Sequence, residues 1–261
     1  MIIYNKMPVL FRINGFTIHS WGFFVSLGII ISLFLMMREF KQKREELLNL
    51  TIITMISAII GARLLYVLLN LDYFLSHTKQ VFNVMGGGLS LFGAIGLGLL
   101  GFIAYSKLRN LDYKKYLDIF SIYIPLSQSI GRIGCFFNGC CYGSITRVPW
   151  GITYLGGIRH PAQIYESILD FLLFLYLYSI RNKKILKIPN LGLPNSRLRL
   201  KLKHGDKFLL YLMLYSIIRF IIEFYREEPR LLFNLTITQY FTIGMIIIVL
   251  LILKTRLLVS Q

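Results

Sequence analysis

The chain has 261 residues, of which 56% are apolar and 16% charged, and its mean hydropathy is +0.63. Soluble domains carry about 45–50% apolar and about 25% charged residues, so the composition argues against a soluble enzyme. It argues equally against disorder, whose mark is low hydrophobicity. Three cysteines are too sparse and odd a set for a disulfide scaffold. What remains is a polytopic membrane protein made of one domain over residues 1–261. The formal charge of +17 has to be read by position before nucleic acid is considered.

A helix crossing a bilayer needs about 20 mostly apolar residues. Seven segments qualify to different degrees: 15–37, 50–70, 84–106, 117–137, 163–180, 208–225 and 235–253. The first, third and seventh are free of Asp, Glu, Lys and Arg. The second contains Arg63, the fourth Asp118 and Arg132, the fifth Glu166 and Asp170, and the sixth Arg219 and Glu223. The expected fold is therefore all-α with about seven transmembrane helices. The N-terminus does not read as a secretory signal, because no small-residue cleavage site follows a short apolar core.

Basic residues alternate between the connecting segments. Segments 38–46, 107–116 and 181–207 and the C-terminal tail hold nineteen of the 29 Lys and Arg residues, the alternate segments seven and the spans three. By the positive-inside rule the N-terminus lies outside and the C-terminus in the cytoplasm. The basic surplus then reads as topology signal and attraction to anionic lipid, and nucleic acid is not an expected partner. Residues 194–207 read as a solvated basic loop, with a lipid-surface arm as the alternative.

An Arg at a helix centre costs about 2.5–3.5 kcal/mol on insertion scales and marks a functional site by default. In the sixth span Arg219, Glu223 and Arg226 are spaced by four and three, which places them on one helix face. They form either a salt-bridge cluster that holds helices together or an anion site in which Glu223 orients the arginines. Residues 131–143 contain four glycines, Arg132, Asn138 and three cysteines. Glycines break a helix and allow close approach, and the Arg132 fork suits a phosphate or carboxylate. A pocket near the outer end of the fourth span follows. Gly86, Gly87, Gly88 and Ser90 open the third span, either as close helix packing through Ser90, Ala94 and Gly98 or as a loop facing a cavity. Arg159, His160, Pro161 and Gln163 open the fifth span, with Pro161 suited to a first helical turn. His160 and Gln163 read as interfacial caps or as site residues. His19 lies near the outer end of the first span. Cys135, Cys140 and Cys141 lack the paired spacing of a common zinc pattern, so no metal site is expected. They read as buried small residues, a disulfide or a thiol activated by arginine.

These pieces together resemble the prolipoprotein diacylglyceryl transferase family. The matching segments are His19–Gly22, Gly61–Tyr66, Gly87–Gly93, Gly131–Gly134 with Asn138, Gly139 and Gly143, Arg159–Glu166, and Arg219–Arg226. The resemblance implies a multi-pass enzyme of the bacterial cell membrane. It would move the diacylglyceryl group of phosphatidylglycerol to the cysteine thiol of a lipoprotein precursor, releasing glycerol 1-phosphate. By position it implies that Arg132 holds the lipid phosphate, that Arg219 is a second essential arginine with Glu223 as its partner, and that Asn138 and Gly143 fill motif positions. Arg132, Arg219, Glu223, Asn138 and His19 are thus the catalytic candidates. Arg132, Gly143, Arg226, Gly87, Gly88, Ser90, His160 and Gln163 are the substrate-binding candidates. The chain departs from the family pattern at Phe92, where the family has a histidine, and at Trp21, Cys135 and Cys140. The outer segment between Gly143 and Arg159 is also short. The phosphate-binding half is intact and the base half altered.

Three functions compete. The first is transfer of diacylglycerol to a thiol of a lipobox peptide. The second keeps the phospholipid donor but uses another acceptor gripped by the cysteines. The third is a non-catalytic anionic-lipid-binding protein. No cofactor is expected, since no dinucleotide glycine fingerprint follows a strand pattern.

Overall fold

The computed structural model describes residues 2–13, 16–83, 87–183, 185–187 and 199–258. Its helices are α1 (Ser20–Glu39), α2 (Arg44–Leu69), α3 (Leu71–Ser76), α4 (Leu91–Leu108), α5 (Tyr113–Asn138), α6 (Ala162–Ser179), α7 (Asp206–Ile222) and α8 (Ile237–Leu258). All but the short α3 lie on the seven expected spans. Among the described residues, five helical segments, 20–39, 41–69, 91–108, 206–225 and 237–255, are long and apolar enough to cross a membrane. α5 and α6 are not among them; α5 carries Lys114, Lys115, Asp118 and Arg132, and α6 carries Glu166 and Asp170. Exposed apolar residues such as Ile52, Ile56, Ile59 and Ile60 of α2 and Ile247, Ile248 and Leu251 of α8 suit a lipid surround rather than water. The chain is a mostly helical, multi-pass membrane protein.

Short strands modify the all-α expectation. β1 (Ile2–Ile3) pairs in parallel with β4 (Ile152–Tyr154), which pairs antiparallel with β5 (Gly157–Arg159). β2 (Val9–Ile13) and β3 (Phe16–His19) form a hairpin, as do β6 (Ile185–Lys187) and β7 (Arg199–Lys201). These segments lie outside the long helices, and pairing satisfies their backbone donors and acceptors. The hairpin also delays the first helix: 16–19 are strand, and the Ser20 amide bonds the Pro8 carbonyl at 3.0 Å. Residues 194–198 of the expected basic arm lie outside the described residues, and 199–201 are paired strand.

Two compact units divide the chain, 35–116 on one hand and 1–34 with 117–261 on the other. Within the first of these, α2 and α4 pack through glycine. A Cβ on Gly61 would strike the Gly93 carbonyl, and one on Gly93 the Gly61 carbonyl. Gly98 packs on Ala58 at 3.2 Å from its would-be Cβ. The expected small-residue face thus exists, but it runs through Gly93 and Gly98 rather than Ser90, Ala94 and Gly98. Ser90 instead donates its amide to the Ala62 carbonyl at 2.9 Å. The helix begins only at Leu91 because Gly87 and Gly88 sit at φ +85° and +71°, outside the helical region. Gly86 and the start of the expected third span lie outside the described residues. Arg63 clamps this loop: Nε donates to the Val81 carbonyl at 2.8 Å, and Nη1 to Gly87 and Gly88 at 2.9 and 3.0 Å.

In the other unit, the buried face of α6 carries Gln163, Glu166, Ser167, Asp170, Phe174 and Leu177, the three-and-four spacing of one helical stripe. The Ser167 hydroxyl donates to the Ser129 carbonyl at 2.9 Å and ties α6 to α5. Asp118 of α5 accepts the amides of Gly205 and Phe208 at 2.8 and 3.0 Å. It thereby satisfies the unpaired N–H groups that open α7. α8 opens on a reciprocal cap: the Thr236 amide donates to Gln239 Oε1 at 2.9 Å, and the Gln239 amide to Thr236 Oγ1 at 3.3 Å.

Candidate functional site

The polar residues of α5, α6 and α7 converge on a buried chain of alternating charges. Arg132 Nη2 lies 2.8 Å from Glu166 Oε1, an ion pair whose approach falls outside hydrogen-bond geometry. Arg219 Nη1 donates to Glu166 Oε2 at 3.1 Å, and Arg219 Nη2 lies 3.0 Å from Glu223 Oε2. Arg226 Nη1 reaches the same Glu223 oxygen at 3.4 Å, and its Nη2 donates to Glu228 at 2.6 Å. Thr236 Oγ1 donates to the other Glu223 oxygen at 3.0 Å. The i, i+4 and i, i+3 spacing of Arg219, Glu223 and Arg226 therefore lets one carboxylate hold both arginines, as the spacing predicts.

Unpaired charges at this depth would cost several kcal/mol each. Alternation of sign removes most of that cost, and one end of the chain stays open. The Arg132 side chain retains 21% exposure, against 10% for Arg219 and 8% for Arg226. Its other amine, Nη1, approaches Cys135 Sγ at 4.0 Å. Glu166 leaves Arg132 with donors to spare, since a guanidinium has five. One turn beyond Glu166, Asp170 is fully buried with neither carboxylate oxygen hydrogen-bonded.

The chain reaches this cluster through a turn and a strand-like segment. Gly143 donates its amide to the His160 carbonyl at 3.1 Å, Ser144 to the Tyr225 carbonyl at 2.8 Å, and Glu227 to the Tyr142 carbonyl at 3.3 Å. A Cβ at Gly143 would strike the His160 carbonyl and come within 2.8 Å of the Tyr225 carbonyl. Only glycine fits there. Arg159 pairs with Glu227 and stacks its guanidinium over the Tyr142 ring at 5.0 Å. The Gln163 amide donates to the Cys140 carbonyl at 2.7 Å, so Gln163 anchors the cysteine turn rather than capping its helix. His160 packs its ring against Tyr225 and meets the Tyr165 hydroxyl at 3.2 Å. Burial lowers the pKa of its imidazole. Burial raises that of the Glu228 carboxyl, with Cys141 adding to the effect.

Cys135, Cys140 and Cys141 are free thiols. Their sulfurs lie within 4.8 Å of one another, although the sequence spacing alone gave no reason to expect a metal site.

The structure thus brings together Arg132, Arg219, Glu223, Arg226, Gly143, Gln163, His160 and the three cysteines. Asn138 ends α5 just before the cysteine turn. His19 is exposed at the end of β3, its backbone opposite Val9, and no hydrogen bond or ion pair among the described residues ties it to the arginines. Gly87, Gly88 and Ser90 belong to the other unit, where they form the loop that Arg63 holds. Sequence reasoning missed Glu166 as a site residue, although it bridges two arginines. The available signal was an acidic residue on a helix with another acid, Asp170, one turn on. Glu228 and Thr236 carried no such signal.

The sequence model described as "Prolipoprotein diacylglyceryl transferase" matches residues 8–255. Relatives named phosphatidylglycerol–prolipoprotein diacylglyceryl transferase include one from Clostridium tetani, 33% identical over 85% of this chain and 86% of that protein. One from Clostridioides difficile is 34% identical over 88% of each. One from Finegoldia magna is 32% identical over 92% of this chain and 91% of its own.

Proposed function

This chain belongs to the prolipoprotein diacylglyceryl transferase family, and from that premise we propose that it transfers the diacylglyceryl group of phosphatidylglycerol to the cysteine thiol of a lipoprotein precursor. The thiolate of a lipobox cysteine attacks the glyceryl carbon that carries the phosphate ester. The carbon–oxygen bond breaks, a thioether forms, and glycerol 1-phosphate leaves with the electron pair. The thiol proton passes to a base or to solvent.

The observation that carries this reading is the open end of the charge chain. Arg132 is held on one edge by Glu166 at 2.8 Å and is the most exposed of the three arginines. A guanidinium fixed in this way is preorganised for an oxyanion: it stabilises a departing phosphate without reorganising at the moment of reaction. Arg219 acts through Glu166, and Glu223 holds Arg219 in turn. In this reading Arg226, Gly143, His160 and Gln163 shape the walls around the headgroup, with Asn138 beside the cysteine turn. The candidate bases are His19, His160 and Cys140, since position 92 is a phenylalanine.

All seven long helices cross the membrane in this reading, α5 and α6 included. Glu166 and Asp170 of α6 and Arg219 of α7 turn inward. Basic segments 38–46, 107–116 and 181–207 face the cytoplasm, the N-terminus faces outward, and the membrane is the bacterial plasma or inner membrane.

The test uses the full chain in liposomes containing phosphatidylglycerol labelled in its headgroup, with and without a lipobox-cysteine peptide. Labelled glycerol phosphate released only with peptide is the expected result. Release without peptide would replace the proposal by hydrolysis or another acceptor. Lipid binding with no release would replace it by a lipid-binding function.

A further inference from the structure

The three cysteines fall within seven residues, and the local backbone is shaped to bring their sulfurs together. Cys135 sits one turn before the end of α5. Two residues in the left-handed region, Gly139 at φ +74° and Cys141 at φ +59°, then curl the chain back over the helix end. For a residue with a side chain such as Cys141 that conformation is uncommon. It costs energy and persists only where its surroundings hold it. The turn is pinned from three sides. The Cys140 amide donates to the Cys135 carbonyl at 3.2 Å, Gln163 holds the Cys140 carbonyl at 2.7 Å, and Tyr154 donates its hydroxyl to the Gly139 carbonyl at 3.0 Å.

From this geometry we infer that Cys135, Cys140 and Cys141 form a three-thiolate site for one thiophilic cation of the Zn2+ type. Bonds of about 2.3 Å to a tetrahedral zinc set sulfur–sulfur separations near about 3.8 Å. The sulfurs already lie within 4.8 Å of one another, so side-chain rotations of less than about 1 Å complete the shell. Soft thiolates select such ions over hard ones. Binding is a balanced exchange: three thiols lose three protons, and one M2+ gives a complex of net charge −1. The Arg132 guanidinium, 4.0 Å from Cys135 Sγ, faces that charge. Cys135 is buried, while Cys140 and Cys141 are partly exposed and give the ion access. Three protein ligands leave the fourth tetrahedral position for water or an external thiol.

The test uses the full chain, reduced and purified in detergent, with Cd2+ and Zn2+ as probes. Cadmium titration of the wild type is expected to give an ultraviolet thiolate-to-metal band that saturates at one ion per chain, with proton release. Added to the zinc-loaded chain, Cd2+ is expected to displace the Zn2+ and raise the same band, because the softer ion holds thiolates more tightly. Replacing any one of the three cysteines with Ser is expected to weaken cadmium binding at least about 10-fold. Because a variant can lose its fold, a second measurement uses the wild type alone. Bound Zn2+ is expected to protect all three cysteines from alkylation together, read by mass spectrometry. A chain with three titratable thiols and no band, an unchanged band in a triple Cys→Ser chain, or alkylation indifferent to Zn2+ would each overturn the inference. So would a chain that holds a disulfide after reduction.

Discussion

Replacing Glu166 with Gln probes the charge chain at its centre. The substitution keeps size and shape but removes the charge that pairs Arg132 at 2.8 Å and Arg219 at 3.1 Å. Glu166 is 1% exposed, so water cannot replace it. Breaking a buried pair by deleting one partner costs about 3–5 kcal/mol. For a chain of this size that corresponds to a drop of at least about 6 °C in the unfolding midpoint in detergent. The catalytic effect follows from losing the charge-assisted contact that fixes Arg132. Close charge pairs couple by at least about 1.5 kcal/mol, which lowers turnover at least roughly 10-fold. The assay compares the unfolding midpoint and the rate of glycerol phosphate release for E166Q, with E228Q as reference. Glu228 is 38% exposed at its side chain, so its replacement is expected to cost no more than about 1 kcal/mol. E166Q within twofold of wild-type turnover and unshifted in midpoint would refute the reasoning. So would equal effects of the two substitutions.

Other consequences follow from single contacts. Gly143→Ala places a methyl group against the His160 and Tyr225 carbonyls and is expected to cost about 1–3 kcal/mol, read as a lower unfolding midpoint. Asp118→Ala strips the cap from the first amides of α7; a loss of about 0.5–2 kcal/mol is expected, whereas no shift would show that the cap is idle. Burial lowers the His160 pKa, so the unfolded chain takes up that proton first. His160 therefore stabilises the fold above its unfolded pKa of about 6.5, and this contribution is lost as pH falls through that value toward the folded one. The pH dependence of the unfolding midpoint should flatten in H160Q, and an unchanged slope would contradict the assignment.

The helices were the most legible part of the sequence, because a membrane span is a long apolar run and needs no knowledge of its neighbours. Their ends were less so. The start of α1 depends on the hairpin that takes the Ser20 amide, and the start of α4 on two glycines at positive φ. Arg219, Glu223 and Arg226 could be grouped because they share one helix face within eight residues. Glu166 could not be placed with them, since its arginine partners come from two other helices. The cysteines illustrate the same limit from the opposite side. Spacing alone argued against a metal shell, and the turn at Gly139 and Cys141 is what closes the distance. Arg63 was legible only as a charge within the second span, and its role is visible only in the loop carbonyls it holds.

The central claim is that Arg132 stabilises the phosphate that leaves as a lipobox thiol is alkylated. The most direct measurement is the intact mass of a lipobox-cysteine peptide after incubation with phosphatidylglycerol liposomes carrying the wild-type chain or Arg132→Ala. The account predicts that the wild type adds one diacylglyceryl group through a thioether that survives hydroxylamine, and that R132A leaves the peptide unchanged while still folding. An unmodified peptide with the wild type, or an R132A chain that lipidates it at the wild-type rate, would contradict it.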